Sequence, residues 1–327
     1  MNCEIKPFDE STFSDAKALT DELFDPKPGD VLEKILANPF RKKVNASSAG
    51  EIVYQEGKAV AFQAAIVRRL YSGQRPFIGI VGSTLCSRPE TSPVLLMQLM
   101  KATIKPRYGS ELFFANTANV ASMKMNRLLG VKGAGPKTCE SIRFGIVWAP
   151  AFLKCLLPCP KAKVVTEIEE VIFDSFWQKY LSSNQGIVSS RSAGELKWMF
   201  GDGIKSGETI MLGSYGADNE LVGYIVFRST HGGKRWVVMD WIALKNDEKI
   251  LKGLLVSAVR YLGKYKRAIL LEMVGYPEAA ARIASCVLPF VRKAKNNSFL
   301  WKYNGAGEAI LEGSWFFGSY DGDRAFG

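Results

Sequence analysis

Two carboxylates sit inside stretches that otherwise read as apolar strands. Asp240 lies in Val237-Val-Met-Asp-Trp241 and Glu272 in Leu270-Leu-Glu-Met273. A carboxylate in such a strand is seldom buried without a partner, and burial raises its pKa toward the range where it can take a proton from an amine. Each is therefore a candidate general base. The plainer reading is a structural ion paired, for instance, with Arg235 or Arg267. A second chemical signal is the turn Ser87-Arg-Pro-Glu-Thr-Ser92, which joins an apolar strand over 77–86 to a helix opening at Pro93. Free N–H groups and the helix dipole make such a start an anion site, and a pyrophosphate would fit at Ser92–Val94. An ordinary crossover without a ligand uses the same pattern. Cys86 ends the strand beside the turn, but no histidine stands near it to activate the thiol.

The elements that must position these groups follow from periodicity. Ser92 caps the helix and Pro93 takes its first position; Val94, Leu95, Met97, Leu99 and Met100 line it. A strand over 111–115 follows, and Asn119 caps a helix over 120–129 that Gly130 stops. Before this unit come a strand over 3–8, helices over 12–24 and 31–37, and a hairpin of 51–55 with 59–71. After it come a strand over 140–148 and a proline-containing connection over 149–163, whose Phe152, Leu153, Leu156 and Leu157 predict a packed linker helix. The later half carries a helix over 171–181 and a hairpin of 209–215 with 221–229. A strand over 234–244 leads to an Asp247-capped helix ending near 262. Strands over 268–274 and 297–303 flank a helix over 277–288.

The chain has 327 residues, 47% of them apolar, and a net charge of +11. That length predicts two domains, and the charge favours an acidic partner such as CoA phosphates, a nucleotide-linked sugar, tRNA or an anionic surface. The basic clusters Arg41-Lys-Lys43, Arg68-Arg69 and Lys264-Tyr-Lys-Arg267 are short and scattered, and the aromatic residues follow core-like patterns, so a nucleic-acid face is not expected. Six cysteines without a CxxC pair, and one histidine, His231 in a turn, speak against zinc. Reduced thiols, no apolar core after Met1 and no long apolar run predict a cytoplasmic chain without a membrane span.

Asn119-Val-Ala-Ser122 followed by Asn126-Arg-Leu-Leu-Gly-Val131 resembles the "Asn-x-x-Ala/Ser … Leu-Gly-Phe/Val" segment of GCN5-related N-acetyltransferases, and the element order matches. In the later half, Arg191-Ser-Ala-Gly-Glu-Leu-Lys-Trp198-Met-Phe200, Leu221-Val-Gly-Tyr224 and the tail Trp315-Phe-Phe-Gly-Ser-Tyr-Asp-Gly-Asp323 resemble tandem members of that superfamily, including sugar-modifying and FemAB-like aminoacyl-transferring proteins. The resemblance implies an α+β fold of two acetyltransferase-like domains, each a mixed, mostly antiparallel sheet flanked by helices. It places them at 1–150 and 164–327, with 151–163 as linker. In that family the pantetheine lies between splayed fourth and fifth strands. Acetyl-CoA would then meet Thr91, Ser92, Val94 and Leu95 with its pyrophosphate, and Asn119 and Ser122 with its pantetheine. The oxyanion donor would be a main-chain N–H near Leu85 or Cys86, and Asn126 would stand where a tyrosine often protonates the leaving thiolate.

The turn departs from the family's Arg- and Gly-rich form: it has no glycine, Pro93 has no N–H, and Glu90 adds negative charge. The later half opens its helix with Asp247-Glu248, which repels a pyrophosphate, so the first half is expected to hold the donor and the second to be structural or acceptor-binding. The expected function is acyl transfer from acetyl-CoA to an amine or hydroxyl on a small, sugar or cell-envelope acceptor. The alternatives are a non-catalytic binder on a decayed scaffold, or a transferase using aminoacyl-tRNA. Oligomeric state is not readable from the sequence.

Overall fold

The computed structural model describes residues 2–24, 30–115, 120–131, 138–139, 141–145, 162–230, 232–274, 280, 282–284, 291–293, 296–297, 300–305, 315–316 and 320. The chain separates into two compact units, 1–135 with 298–312 and 321–327, and 136–297 with 313–320.

The first unit opens with β1 (Cys3–Pro7), α1 (Phe13–Leu23), α2 (Val31–Leu36) and α3 (Pro39–Lys43). The last is a short helix that the periodicity did not reveal; Asn38 caps it, accepting from the Phe40 amide at 2.9 Å. Then come β2 (Gly50–Gln55), β3 (Lys58–Ser72), β4 (Arg75–Ser87), α4 (Pro93–Ile104), β5 (Ser110–Ala115) and α5 (Val120–Leu128). β3 is apolar on both faces and buried from Val60 to Val67, as suits a central strand. Ser92 caps α4 by accepting from the Leu95 amide at 3.2 Å, with Pro93 in the first turn. Gly130 follows α5 at φ +74°, a left-handed stop that a β-carbon would strain.

The second unit holds β6 (Thr138–Cys139), β7 (Ser141–Gly145), β8 (Lys163–Val165), α6 (Glu170–Ser183), β9 (Ile187–Ser189), α7 (Ala193–Ser206), β10 (Thr209–Tyr215), β11 (Leu221–Thr230) and β12 (Arg235–Ala243). After a short turn come α8 (Glu248–Tyr261), β13 (Leu270–Val274), β14 (Val291–Lys293) and β15 (Asn296–Asn297). The chain then adds β16 (Leu300–Tyr303) to the first unit and β17 (Trp315–Phe316) to the second.

The two sheets follow one plan. The first runs β1-β2-β3-β4-β5-β16 and the second β14-β7-β13-β12-β11-β10-β8. Along these orders the pairs are antiparallel except for one central parallel pair in each, β4 with β5 and β12 with β13; β9 and β17 form a further parallel pair off them. A parallel pair needs a crossover, and α4 and α8 supply it. The architecture is α+β, two mixed and mostly antiparallel sheets with flanking helices.

The division differs from the expected 1–150 and 164–327. β7 lies inside the expected first domain but pairs with β13 and β14 of the second sheet. β16, at the end of the expected second domain, closes the first sheet against β5. A short strand pattern signals burial but not which sheet it joins, so the exchange is invisible locally. Most of the expected linker over 151–163 and most of the helix over 277–288 lie outside the described residues.

Candidate functional site

In the first unit β4 and β5 pair from Ile78↔Ser110 to Val81↔Phe114 and then part. β4 continues to Ser87, so its N–H and C=O groups on that edge have no β5 partner among the described residues. A bulge sits just past the parting. Phe62 faces Cys86 and Ala64 faces Ser83, so Thr84 and Leu85 share the single residue Gln63. Thr84 adopts φ +48°, a strained value for a β-branched residue. Gly82, Thr84, Leu85 and Ser87 keep part of their surface accessible. Cys86 is buried, and burial pushes its thiol up to about 12, so it is no thiolate nucleophile at neutral pH.

The turn beyond the wedge is tied down more firmly than its sequence suggests. Arg88 forms a two-point pair with Glu22 of α1 at 2.7 and 2.6 Å, and its Nε donates to Ala59 O. Thr91 is buried; its hydroxyl donates to Val60 O at 3.0 Å and its amide to Arg88 O. The Leu95 amide goes to the Ser92 hydroxyl and the Leu96 amide to Ser92 O, while Pro93 has none. Leu95 packs its side chain toward Val53, Val60 and Leu99. Val94, at 65% exposure, stands free at the helix start. Of the four residues expected at a pyrophosphate, Ser92 and Val94 present the accessible end, while Thr91 and Leu95 hold the turn and the core.

The matching place in the second unit is filled. β12 parts from β13 after Val238↔Met273, and a bulge at Met239 lies between Phe227↔Val238 and Val226↔Asp240. From Val238 to Ala243 every residue is buried. Trp241 Nε1 donates to Leu251 O at 3.0 Å beneath α8. Asp240 has no solvent exposure and accepts from Arg191 Nε at 2.9 Å, from Arg191 Nη2 at 3.1 Å and from Tyr224 OH at 2.7 Å. Arg191 also donates to Ser189 O, and the Tyr320 ring lies 4.6 Å from its guanidinium carbon. Burial and the Asp240 charge hold the Tyr224 hydroxyl protonated. At the helix start, Asp247 occupies the Lys249 and Ile250 amides at 2.7 and 3.2 Å. Those two amides are thereby taken from a second anion.

The remaining expected residues fall in different places. Glu272 is buried and takes a hydrogen bond from Arg235 Nη2. Asp240 pairs with Arg191 and not with Arg235 or Arg267; the distant arginine reached it through the fold. Asn126 is buried at 3% exposure; its Nδ2 donates to Ser122 O at 2.8 Å and its Oδ1 has no partner among the described residues. A carboxamide has no titratable proton, so Asn126 cannot serve as the acid for a leaving thiolate. Ser122 is half-buried, and Asn119 lies outside the described residues. Two members of the basic clusters are buried, Arg41 and Arg68, which removes them from any charged face. Sequence reasoning quoted Arg191 and Tyr224 within family-like stretches but did not connect them to Asp240, and it passed over Gln63. The signals for Arg191 were its place at the head of that stretch and its charge inside the small-residue run Ser189-Ser-Arg-Ser-Ala193.

Comparison with known proteins rests on structure. No protein-family model and no curated protein matches the sequence. A GCN5-related N-acetyltransferase from Anabaena variabilis superposes with a TM-score of 0.62 at 14% identity, covering 92% of this chain and 73% of the other. The fold is that of the GCN5-related N-acetyltransferases. A tandem protein of this fold from the clavulanic acid biosynthesis pathway matches with a TM-score of 0.54 at 12% identity, over 94% of this chain and 100% of its own. The Saccharomyces cerevisiae N-myristoyltransferase, solved with myristoyl-CoA and inhibitors, matches with a TM-score of 0.59 at 12% identity, over 95% and 84%. At these identities the likeness is one of fold. No helix among the described residues is long and apolar enough to cross a membrane.

Proposed function

We propose that the first unit binds an acyl-CoA, with acetyl-CoA as the simplest donor, and passes its acyl group to an amine or hydroxyl. The observation that carries this reading is the stretch of β4 beyond its last described β5 pair, part-accessible at Gly82, Thr84, Leu85 and Ser87, leading to the Ser92-capped start of α4. An extended pantetheine arm hydrogen-bonds to such an edge as a strand would, and the helix start favours its phosphates. The acceptor heteroatom attacks the thioester carbonyl, the C–S bond breaks, and the acceptor's proton leaves as the thiolate gains one. A main-chain N–H at the bulge near Leu85–Cys86 stabilises the oxyanion. Asp240 and Glu272, both held in buried ion pairs, are positioning residues of the second unit and not the base. The proton passes to water.

A binding module without transfer is the second reading. Its support is the Arg88–Glu22 pair, which removes the turn's one guanidinium from any phosphate. Calorimetry with acetyl-CoA tests the donor site. Micromolar binding is expected, lost in Ser92→Asp and kept in Asp247→Ala, which costs about 1 kcal/mol of stability as a lost cap. Absence of binding at millimolar CoA overturns the reading. Release of free thiol in the presence of small amines then separates transfer from binding alone.

A further inference from the structure

A buried carboxamide stands at the apex of the first unit's wedge without a hydrogen-bond donor. Gln63 of β3 is 5% exposed, and its Oε1 has no partner among the described residues. Its place is fixed by Gly82, the first β4 residue past the last β5 pair: a β-carbon there would lie 3.3 Å from Gln63 Nε2 and 2.7 Å from the Phe113 ring. Glycine thus leaves the space that lets the carboxamide lie over the strand, and Gly82 itself remains partly accessible. Directly across on β2 stands Glu51, whose carboxylate accepts from Arg107. Ala65, Ile80, Met100 and Phe113 form the neighbouring core.

An unmatched acceptor in such a setting costs about 1–3 kcal/mol and calls for an explanation. If phosphates lie at the α4 start, the arm runs along β4 from Ser87 back toward Gly82, and the end that reaches the apex is the acyl end. We infer that Gln63 selects the acyl group, and that the preferred donor carries a hydroxyl or amino group on its acyl chain, whose O–H or N–H fills the Oε1 acceptor. A plain hydrocarbon chain leaves that oxygen unpaired and is disfavoured. This inference rests on the acyl-CoA reading above.

The test compares donors matched in heavy-atom count, 3-hydroxypropionyl-CoA, β-alanyl-CoA and butyryl-CoA, by calorimetry on the full chain, with free CoA alongside. The polar donors are expected to bind about tenfold tighter than butyryl-CoA, the value of one well-made buried hydrogen bond. Gln63→Leu should bring the ratio to about one and raise the melting temperature, which also shows that the variant folds. Should Gln63→Leu unfold, Gln63→Met serves with the same expectation. Equal binding of polar and apolar donors by the wild type, alongside binding of free CoA, overturns the inference and leaves the acyl-CoA reading intact. A tenfold preference that survives Gln63→Leu also overturns it. No binding of any CoA species overturns both.

Discussion

The two wedges, built on one plan, differ in what lies past the parting of their parallel strands. In the first, β4 runs on with Gly82, Thr84 and Leu85 partly accessible; in the second, β12 runs on entirely buried, with Asp240 clamped by Arg191 and Tyr224 and Trp241 packed under α8. Their helix starts differ in the same sense. A hydroxyl caps α4, and a carboxylate caps α8. A hydroxyl can turn toward a phosphate, while a carboxylate repels one. Two copies of one fold can thus diverge through a few side chains at one place, and the side chains at the parting say more about ligand binding than the fold does.

The largest way to break this contrast is Arg191→Met. It leaves Asp240 buried and uncompensated, and should cost about 3–5 kcal/mol in urea denaturation. Arg191→Met with Asp240→Leu should recover at least half of that. A single variant that unfolds at the wild-type midpoint would show that the ion cluster is not what fills the second wedge. A smaller effect sharpens the other side. Leu85→Trp makes the first wedge resemble the second and should weaken acetyl-CoA binding roughly tenfold, at about 1–3 kcal/mol of stability. Unchanged affinity there would move the ligand away from the β4 edge.

The smallest effect concerns Glu51. Its carboxyl is held above its usual range by burial, with Arg107 opposing. A raised carboxyl pKa means that the folded state binds more protons than the unfolded chain, so this contribution is present at acidic pH and is lost as pH rises through the folded value. Against Glu51→Gln, the wild type should therefore lose roughly 2 °C of relative melting temperature between about pH 4 and pH 7. A flat difference across that window would mean that Arg107 fully offsets the burial.

Much of the framework was legible because its signals are local. Ser92 and Asp247 announce their helices by capping chemistry, Gly130 stops its helix by its left-handed backbone, and the two long hairpins alternate around obvious turns. What escaped depends on contacts far apart in sequence. Asp240 was visible as an odd charge, but its partner stands 49 positions away. Arg88 stood in the turn with no sign of a partner, and only the packing of α1 brings Glu22, 66 positions earlier, to it. Gln63 looked like any polar residue of a strand; it becomes unusual only where the bulge sets two β4 residues against it.

The exchange of strands between the sheets imposes an order on the making of this protein. β5 is synthesised early, but its outer neighbour β16 consists of residues 300–303. At a ribosome's pace of about 5–20 residues per second, that edge waits on the order of ten seconds for its partner. During that time it is an open strand edge able to pair with another chain. β7 emerges early as well and waits for β13. Neither sheet can be completed before the other is largely made. Yield from a cell should accordingly follow chaperone supply more closely than the stability of the finished chain, and a gene cut between the halves should produce two aggregating fragments.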